Sequence, residues 1–143
     1  MAFYAEVFPD FSQERVRRLG GVLDLDWTAR AGELSRGGRA QVKLAATLSR
    51  AAPVVALDEP FSGLDPLVCE AVLTAVVSVV ELDRQTVIVS THEVQEVEPL
   101  LDLAVLLDRG RCRAVQPVDE LLTPDGPGGL VAWMRHILSQ AAS

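Results

Sequence analysis

Val54-Val55-Ala56-Leu57-Asp58-Glu59-Pro60 runs directly into Phe61-Ser62-Gly63-Leu64-Asp65-Pro66. Four apolar residues lead without interruption into two adjacent carboxylates. A short continuous apolar run reads as a strand of a parallel sheet, buried on both faces. Pro53 and Pro60 set its limits, because proline neither continues a ladder nor leaves its predecessor unrestricted. Asp58 and Glu59 then stand at the carboxyl end of the strand, where open α/β sheets place their ligands. Two neighbouring carboxylates repel, so the pair calls for a cation or a proton in motion. Taken by itself the pair reads equally well as the solvation of a strand end.

Working outward, Leu34-Ser35-Arg36-Gly37-Gly38-Arg39-Ala40-Gln41 lies on the amino side. Ser35 is a natural N-cap, and Gln41 to Ser49 is rich in Ala and Leu, as a helix should be. Pro53 ends that helix by about Ala52. The free N–H groups of a helix start attract anions, and glycines let a phosphate come close, although two glycines there are more often plain capping. On the carboxyl side, Asp65 caps a helix with Pro66 at its first position, expected to run to about Leu82. Its valines suit a strand as well by propensity, and length decides for the helix. Asp83-Arg84-Gln85 turns the chain into a second buried strand, Thr86 to Ser90, which ends at Thr91-His92-Glu93.

The remainder reads as framework. Glu93 to Leu101 is expected to be helical. Leu103–Leu107 and Arg111–Val115 flank Asp108-Arg109-Gly110 as a hairpin. Pro124 to Gly129 reads as a connector. Leu130, Trp133, Met134, Ile137 and Leu138 fall on one helical face and are expected to pack. At the amino end, Phe3, Tyr4, Phe8, Phe11 and Trp27 are five of the chain's seven aromatics. Ser12 is expected to cap a helix from Gln13 to Leu19 that stops at Gly20-Gly21. Those aromatics form either a local core or a contact surface for another chain.

The chain has 143 residues, 49% of them hydrophobic, enough for a packed core. Its net charge of −7 argues against a nucleic-acid partner held through phosphates. A bound magnesium ion could still offset local negative charge beside a nucleotide. Cys69 and Cys112 are too few and too scattered for a disulfide framework or a zinc site. No signal peptide is visible, and the apolar stretch from Ala71 to Val80 is about half of what a spanning helix needs. The expectation is a soluble chain whose membrane role, if any, comes through a partner.

The stretch around Asp58 resembles the Walker B motif and following D-loop of ABC-type ATPases. Leu34 to Gln41 resembles their signature motif, usually Leu-Ser-Gly-Gly-Gln, and Leu34 lies 24 positions before Asp58, the family's usual interval. Thr91-His92-Glu93 resembles the family's H-loop. Arg36 stands where the family has its first Gly and Gly38 where it has Gln. The Leu-Ser-basic-Gly form resembles a divergent bacterial group of ABC proteins. Arg36 either adds a guanidinium near the phosphate or points to solvent.

The resemblance implies an α/β fold: a helical signature subdomain (1–52), the second half of a RecA-like parallel sheet (53–116) and a carboxyl-terminal helical appendage (117–143). It implies ATP and magnesium as cofactors. Asp58 would hold the metal, Glu59 would act as general base, and His92 would contact the γ-phosphate. Ser35, Gly37 and Gly38 would close on the nucleotide of an opposite subunit, and Asp65 would cross that interface. The partners implied are a second ABC ATPase subunit, or a missing amino-terminal half, and an integral membrane permease, read as an export partner with the direction of transport left open. The location implied is the cytoplasmic face of the cell membrane, with no nucleic acid involved.

A phosphate-cradling loop needs Gly-x-x-x-x-Gly-Lys-Ser/Thr. The only lysine here is Lys43, in the helix after the signature. The resemblance therefore covers the second half of such a domain, and the expectation is a fragment, a split gene product or a mis-started frame. Three other readings stand beside the transporter subunit. A non-catalytic half-domain could regulate a partner ATPase. A chromosome-maintenance ATPase head is disfavoured by Pro60, His92 and the lack of heptads. A soluble ABC protein of the ribosome type would normally carry two cassettes.

Overall fold

The computed structural model describes residues 2–141 apart from 31, 82, 124 and 125, and for 2 and 141 the backbone only. The chain divides into two units, Met1–His92 and Glu93–Ser143.

The first unit holds α1 (Ala2–Val7), α2 (Gln13–Val22), α3 (Arg36–Leu48), β1 (Val54–Asp58), α4 (Pro66–Val79) and β2 (Thr86–Ser90). Leu19, Leu48, Val72 and Phe61 are its largest fully buried apolar side chains, so α2, α3, α4 and the residues after β1 meet in one core. Arg15 ties α2 to that core's edge, donating to the Arg50 carbonyl at 2.8 Å and to Glu81 at 2.7 Å. Each strong helix start carries a cap: Ser12 accepts from the Arg15 N–H, Ser35 from Gly38, and Asp65 from Leu67 and Val68.

Helix α2 does not stop at Gly20-Gly21 but continues to Val22. Gly20 serves close approach instead: a β-carbon there would stand 2.4 Å from Nε1 of Trp27. The helix ends one turn later, where Asp24 takes φ +49° and Leu25 donates back to the Gly20 carbonyl at 2.9 Å. That is a Schellman closure with Asp in the place usually given to Gly. The carboxyl end of α4 is Val79; Leu82, the expected end, lies outside the described residues.

Strands β1 and β2 pair in parallel, with Val54 opposite Thr86 and Asp58 opposite Ser90. They are not buried on both faces. In β1 only Val55 and Leu57 are buried, while Val54 is 56% exposed; in β2 Ile88 is 55% exposed. Period-two pleating sends alternate residues to opposite faces, and among the described residues only one face is covered. The turn before β2 is pinned by Gln85, a buried amide that donates to the Ala52 carbonyl at 2.7 Å.

The amino-terminal aromatics form a cluster with one open flank. Tyr4 lies 5.7 Å from Phe8 and 6.0 Å from Phe11 between ring centroids. Arg50 covers the Phe8 ring at 4.1 Å while pairing with Asp10. Phe3 remains 68% exposed and Trp27 39%. Phe8 and Phe11 thus belong to local packing, and Phe3 to the surface.

The second unit holds α5 (Val94–Val97), a 3₁₀ turn (Glu98–Leu100), β3 (Leu103–Asp108), β4 (Arg111–Pro117), α6 (Val118–Leu121) and α7 (Leu130–Ala141). The helix expected over Glu93–Leu101 breaks after four residues, because Pro99 opens the 3₁₀ turn. The β3–β4 hairpin turns at Arg109 (φ +48°) and Gly110 (φ +74°), the two left-handed residues of a type I′ turn. Leu130 and Trp133 of α7 are buried against Ala104, Leu106, Val118 and Leu121, with Met134 and Ile137 partly buried beside them. Leu138 is 38% exposed, at the margin of the expected face. The expected connector includes positions 124 and 125, which lie outside the described residues; the Gly126 N–H donates to the Thr123 carbonyl at 2.9 Å.

Candidate functional site: the strand end and the start of α3

Parallel pairing in register brings the ends of β1 and β2 side by side. Asp58 faces Ser90 across the ladder, and the Ser90 hydroxyl donates to the Asp58 carboxylate. One residue further, the Glu59 N–H donates to the Ser90 carbonyl at 2.8 Å. Glu59 itself takes φ +46°, a left-handed backbone that non-glycine residues seldom adopt. Strain of this kind persists where surrounding structure enforces it. Here the ladder bond behind Glu59 and the turn ahead of it, Ser62 N–H to the Glu59 carbonyl at 3.2 Å, hold it in place.

Glu59 reaches His92, the residue 33 positions later. Nδ1 of His92 lies 2.9 Å from both carboxylate oxygens. An ionised carboxylate can only accept, so Nδ1 carries the hydrogen. This hydrogen bond from His92 holds the Glu59 carboxyl below the usual carboxylate range, against an opposing push from desolvation. Both side chains are substantially exposed, so the pair orients its members more than it stabilises the fold.

The start of α3 is built locally. The Ser35 hydroxyl accepts from Gly38 N–H at 3.0 Å, satisfying one of the helix's orphan donors. Gly37 stands close to the next loop: a β-carbon there would lie in ordinary contact with Cδ2 of Leu64, at 3.7 Å. The loop that follows the carboxylates thus packs on the start of α3. Asp65 closes that loop and spends its carboxylate on the N–H groups of Leu67 and Val68, both at 3.1 Å. Arg36 is exposed, and its guanidinium lies on the side of Gly63 where a β-carbon would stand, 3.4 Å from that position.

The structure therefore brings Asp58, Glu59 and His92 into one group. Ser35, Gly37 and Gly38 form a second group, and the 61–65 loop connects the two. Sequence reasoning missed Ser90 and Leu64. Ser90 was legible only through register, as the residue opposite Asp58. Leu64 gave no signal, since any leucine reads as core.

Among the described residues, no cluster of three or more His, Cys, Asp or Glu is arranged to hold a metal. Magnesium does not require one: it takes one or two carboxylates, keeps several waters and is completed by phosphate oxygens. A single oriented carboxylate at Asp58 fits that role. ATP fits less completely, because the sequence contains no Gly-x-x-x-x-Gly-Lys-Ser/Thr loop to cradle its phosphates. Among the described residues no helix is long and apolar enough to cross a membrane.

No protein-family model matches the chain. It is 38% identical over 92 residues to the thiamine import ATP-binding protein ThiQ of Escherichia coli (strain UTI89), covering 64% of this chain and 40% of that protein. It is 32% identical over 127 residues to ThiQ of Salmonella choleraesuis, covering 88% of this chain and 54% of the relative. The chain spans about half the length of the curated relatives it matches, or less. Among solved structures, the ATP-binding subunit of an ABC transporter superposes with a TM-score of 0.67 at 22% identity, over 92% of this chain and 56% of that one. A dimeric bacterial ABC transporter cassette superposes with a TM-score of 0.61 at 21% identity, over 73% of this chain and 46% of that one. At such identities the structures speak for the fold, a RecA-like α/β ATPase domain, and the sequence relatives for descent. The relatives it resembles in sequence are ATP-binding proteins of ABC transporters, and it matches about half of their length.

Proposed function

We propose that this chain supplies the signature, Walker B, D-loop and H-loop half of an ATP-hydrolysing ABC subunit, working with a membrane permease at the cytoplasmic face. The observation that carries the reading is the Glu59–His92 pair, 33 residues apart in sequence and 2.9 Å apart in space, at the carboxyl end of a parallel strand pair. The divisions 1–52, 53–116 and 117–143 remain the functional segments of this proposal.

Bound Mg-ATP would supply the phosphoryl group and the charge that neutralises it. Asp58, steadied by Ser90, would hold the metal through water. Glu59 would orient the attacking water and accept its proton. A carboxylate held low by His92 is a weak base at neutral pH, so orientation is the larger part of its work. His92, anchored through Nδ1, would present Nε2 to the γ-phosphate. Ser35, Gly37 and Gly38 would offer the α3 start to a nucleotide held by a second subunit. Asp65 would reach that subunit while capping α4. The matched relatives are named for thiamine import, which favours an importing permease over an exporter.

The second reading, a half-domain that regulates a partner without hydrolysis, is favoured by one observation, the missing phosphate-cradling loop. ATPase assays of two mixtures separate them. With a loop-bearing homologous subunit, Ser35→Arg or a bulky residue at Gly37 should abolish the composite activity, and Glu59→Gln should change it little. With the amino-terminal half supplied as a separate chain, Glu59→Gln should cost about 10²–10⁴-fold, the usual worth of a general base. Equal sensitivity to both changes in the first mixture refutes the division of labour. No activity in either mixture leaves the regulatory reading standing. The chain alone should show no micromolar affinity for Mg-ATP by calorimetry.

A further inference from the structure

A β-carbon at Gly63 would stand 3.4 Å from Cζ of Arg36, 3.4 Å from Nη2 and 3.6 Å from Nη1. Three guanidinium atoms at nearly equal range mean that the group presents its flat face, not an edge, to the side of Gly63 where a β-carbon would stand. Gly63 takes φ +70°, so its peptide is exposed in a turn that glycine alone adopts without strain. A guanidinium is planar and more weakly hydrated than an ammonium, so its face can lie close over the open side of a glycine where an ammonium would stay in water. Beside this contact, Leu64 lies within van der Waals range of a β-carbon position at Gly37, 3.7 Å away. Two adjacent contacts therefore join the first turn of α3 to the 61–65 loop.

We propose that Arg36 is a positioning residue, whose guanidinium, laid on Gly63, clamps the loop carrying Asp65 to the start of α3. The usual family residue at this position, glycine, has no side chain to do this. The clamp makes one rigid piece of the two parts that, on the function proposed above, face the second subunit: the Ser35–Gly38 turn and the 61–65 loop. It deepens that reading, but the contact exists or fails without any nucleotide.

Amide hydrogen exchange of the full chain tests the clamp. The loop carries two turn hydrogen bonds, Ser62 N–H to Glu59 at 3.2 Å and Leu64 N–H to Phe61 at 3.0 Å. In Arg36→Ala, exchange at Ser62 and Leu64 should rise about threefold, the loss of a handful of dispersion contacts from a local opening unit. Leu23 and Val80, at the ends of α2 and α4, should exchange as before. Arg36→Lys keeps the charge and loses the flat face, and should behave as Arg36→Ala. The proposal is overturned if loop exchange is unchanged, if all amides accelerate alike, or if Arg36→Lys matches the parent chain. ATPase results in the mixtures above do not bear on this outcome, so the two ideas fail separately.

Discussion

At the start of α3, Ser35 bonds a backbone N–H three residues away; at the end of β1, Glu59 bonds a side chain 33 residues away. The first arrangement forms whenever the helix forms. The second needs β1 and β2 laid parallel in one register, which in turn needs α4 to carry the chain back between them. The start of α3 is thus a local device and the strand end a tertiary one. Their vulnerabilities should differ accordingly, with the strand end failing on distant core changes and the helix start only on changes to its own cap.

The sharpest way to break this contrast is Phe61→Ala. Phe61 is 2% exposed and follows Glu59 by two residues, so it anchors the turn that holds the strained carboxylate. Its truncation should cost about 3–5 kcal/mol in denaturant unfolding. The His92 imidazole resonances should lose their Glu59-dependent shift, while the Ser35 cap survives in whatever fraction remains folded. Equal loss of both features would mean that the helix start is not local.

Cap removal should have smaller effects. Ser35→Ala and Asp65→Ala each leave helix N–H groups unsatisfied and should cost about 1 kcal/mol by the same denaturation measurement. Neither should disturb the Glu59–His92 pair. Asp65→Asn, which keeps an accepting oxygen, should recover most of the loss. A Ser35 effect of several kcal/mol would place that residue in tertiary packing.

The smallest expected effect concerns pH. The His92 hydrogen bond holds the Glu59 pKa in the folded chain below the ordinary carboxylate range. A depressed carboxylate contributes stability that is complete above its unfolded pKa and is lost as pH falls through the folded one. The pair is exposed, so the contribution should be slight. In His92→Gln, carbon-detected NMR titration should find the Glu59 carboxyl moved upward, toward the ordinary range. An unmoved titration would mean that the hydrogen bond does not set the pKa.

The same contrast marks what was legible in the chain. Ser35, Asp65-Pro66, the Asp108-Arg109-Gly110 turn and the α7 stripe from Leu130 to Ile137 are legible because each rests on neighbours within one or two turns, whereas Leu138 is left exposed. Gly20-Gly21 misled because a glycine pair has two physical uses, ending a helix and admitting a close neighbour. Only the Trp27 indole against Gly20 decides between them. The apolar run of β1 suggested a strand covered on both faces, yet Val54 and Ile88 are open, because composition records what could be buried and not what lies over it.

By itself the sequence determined the carboxylate pair, the spacing of Leu34, Asp58 and His92, the helix caps and the absence of a phosphate-cradling loop. All of these are properties of residue type and order. The tertiary structure alone decided that Glu59 meets His92, that Ser90 steadies Asp58 and that Arg36 lies on Gly63. Each of those contacts joins residues with no regular spacing, so it is set by strand register and helix packing. No periodicity along the chain encodes it.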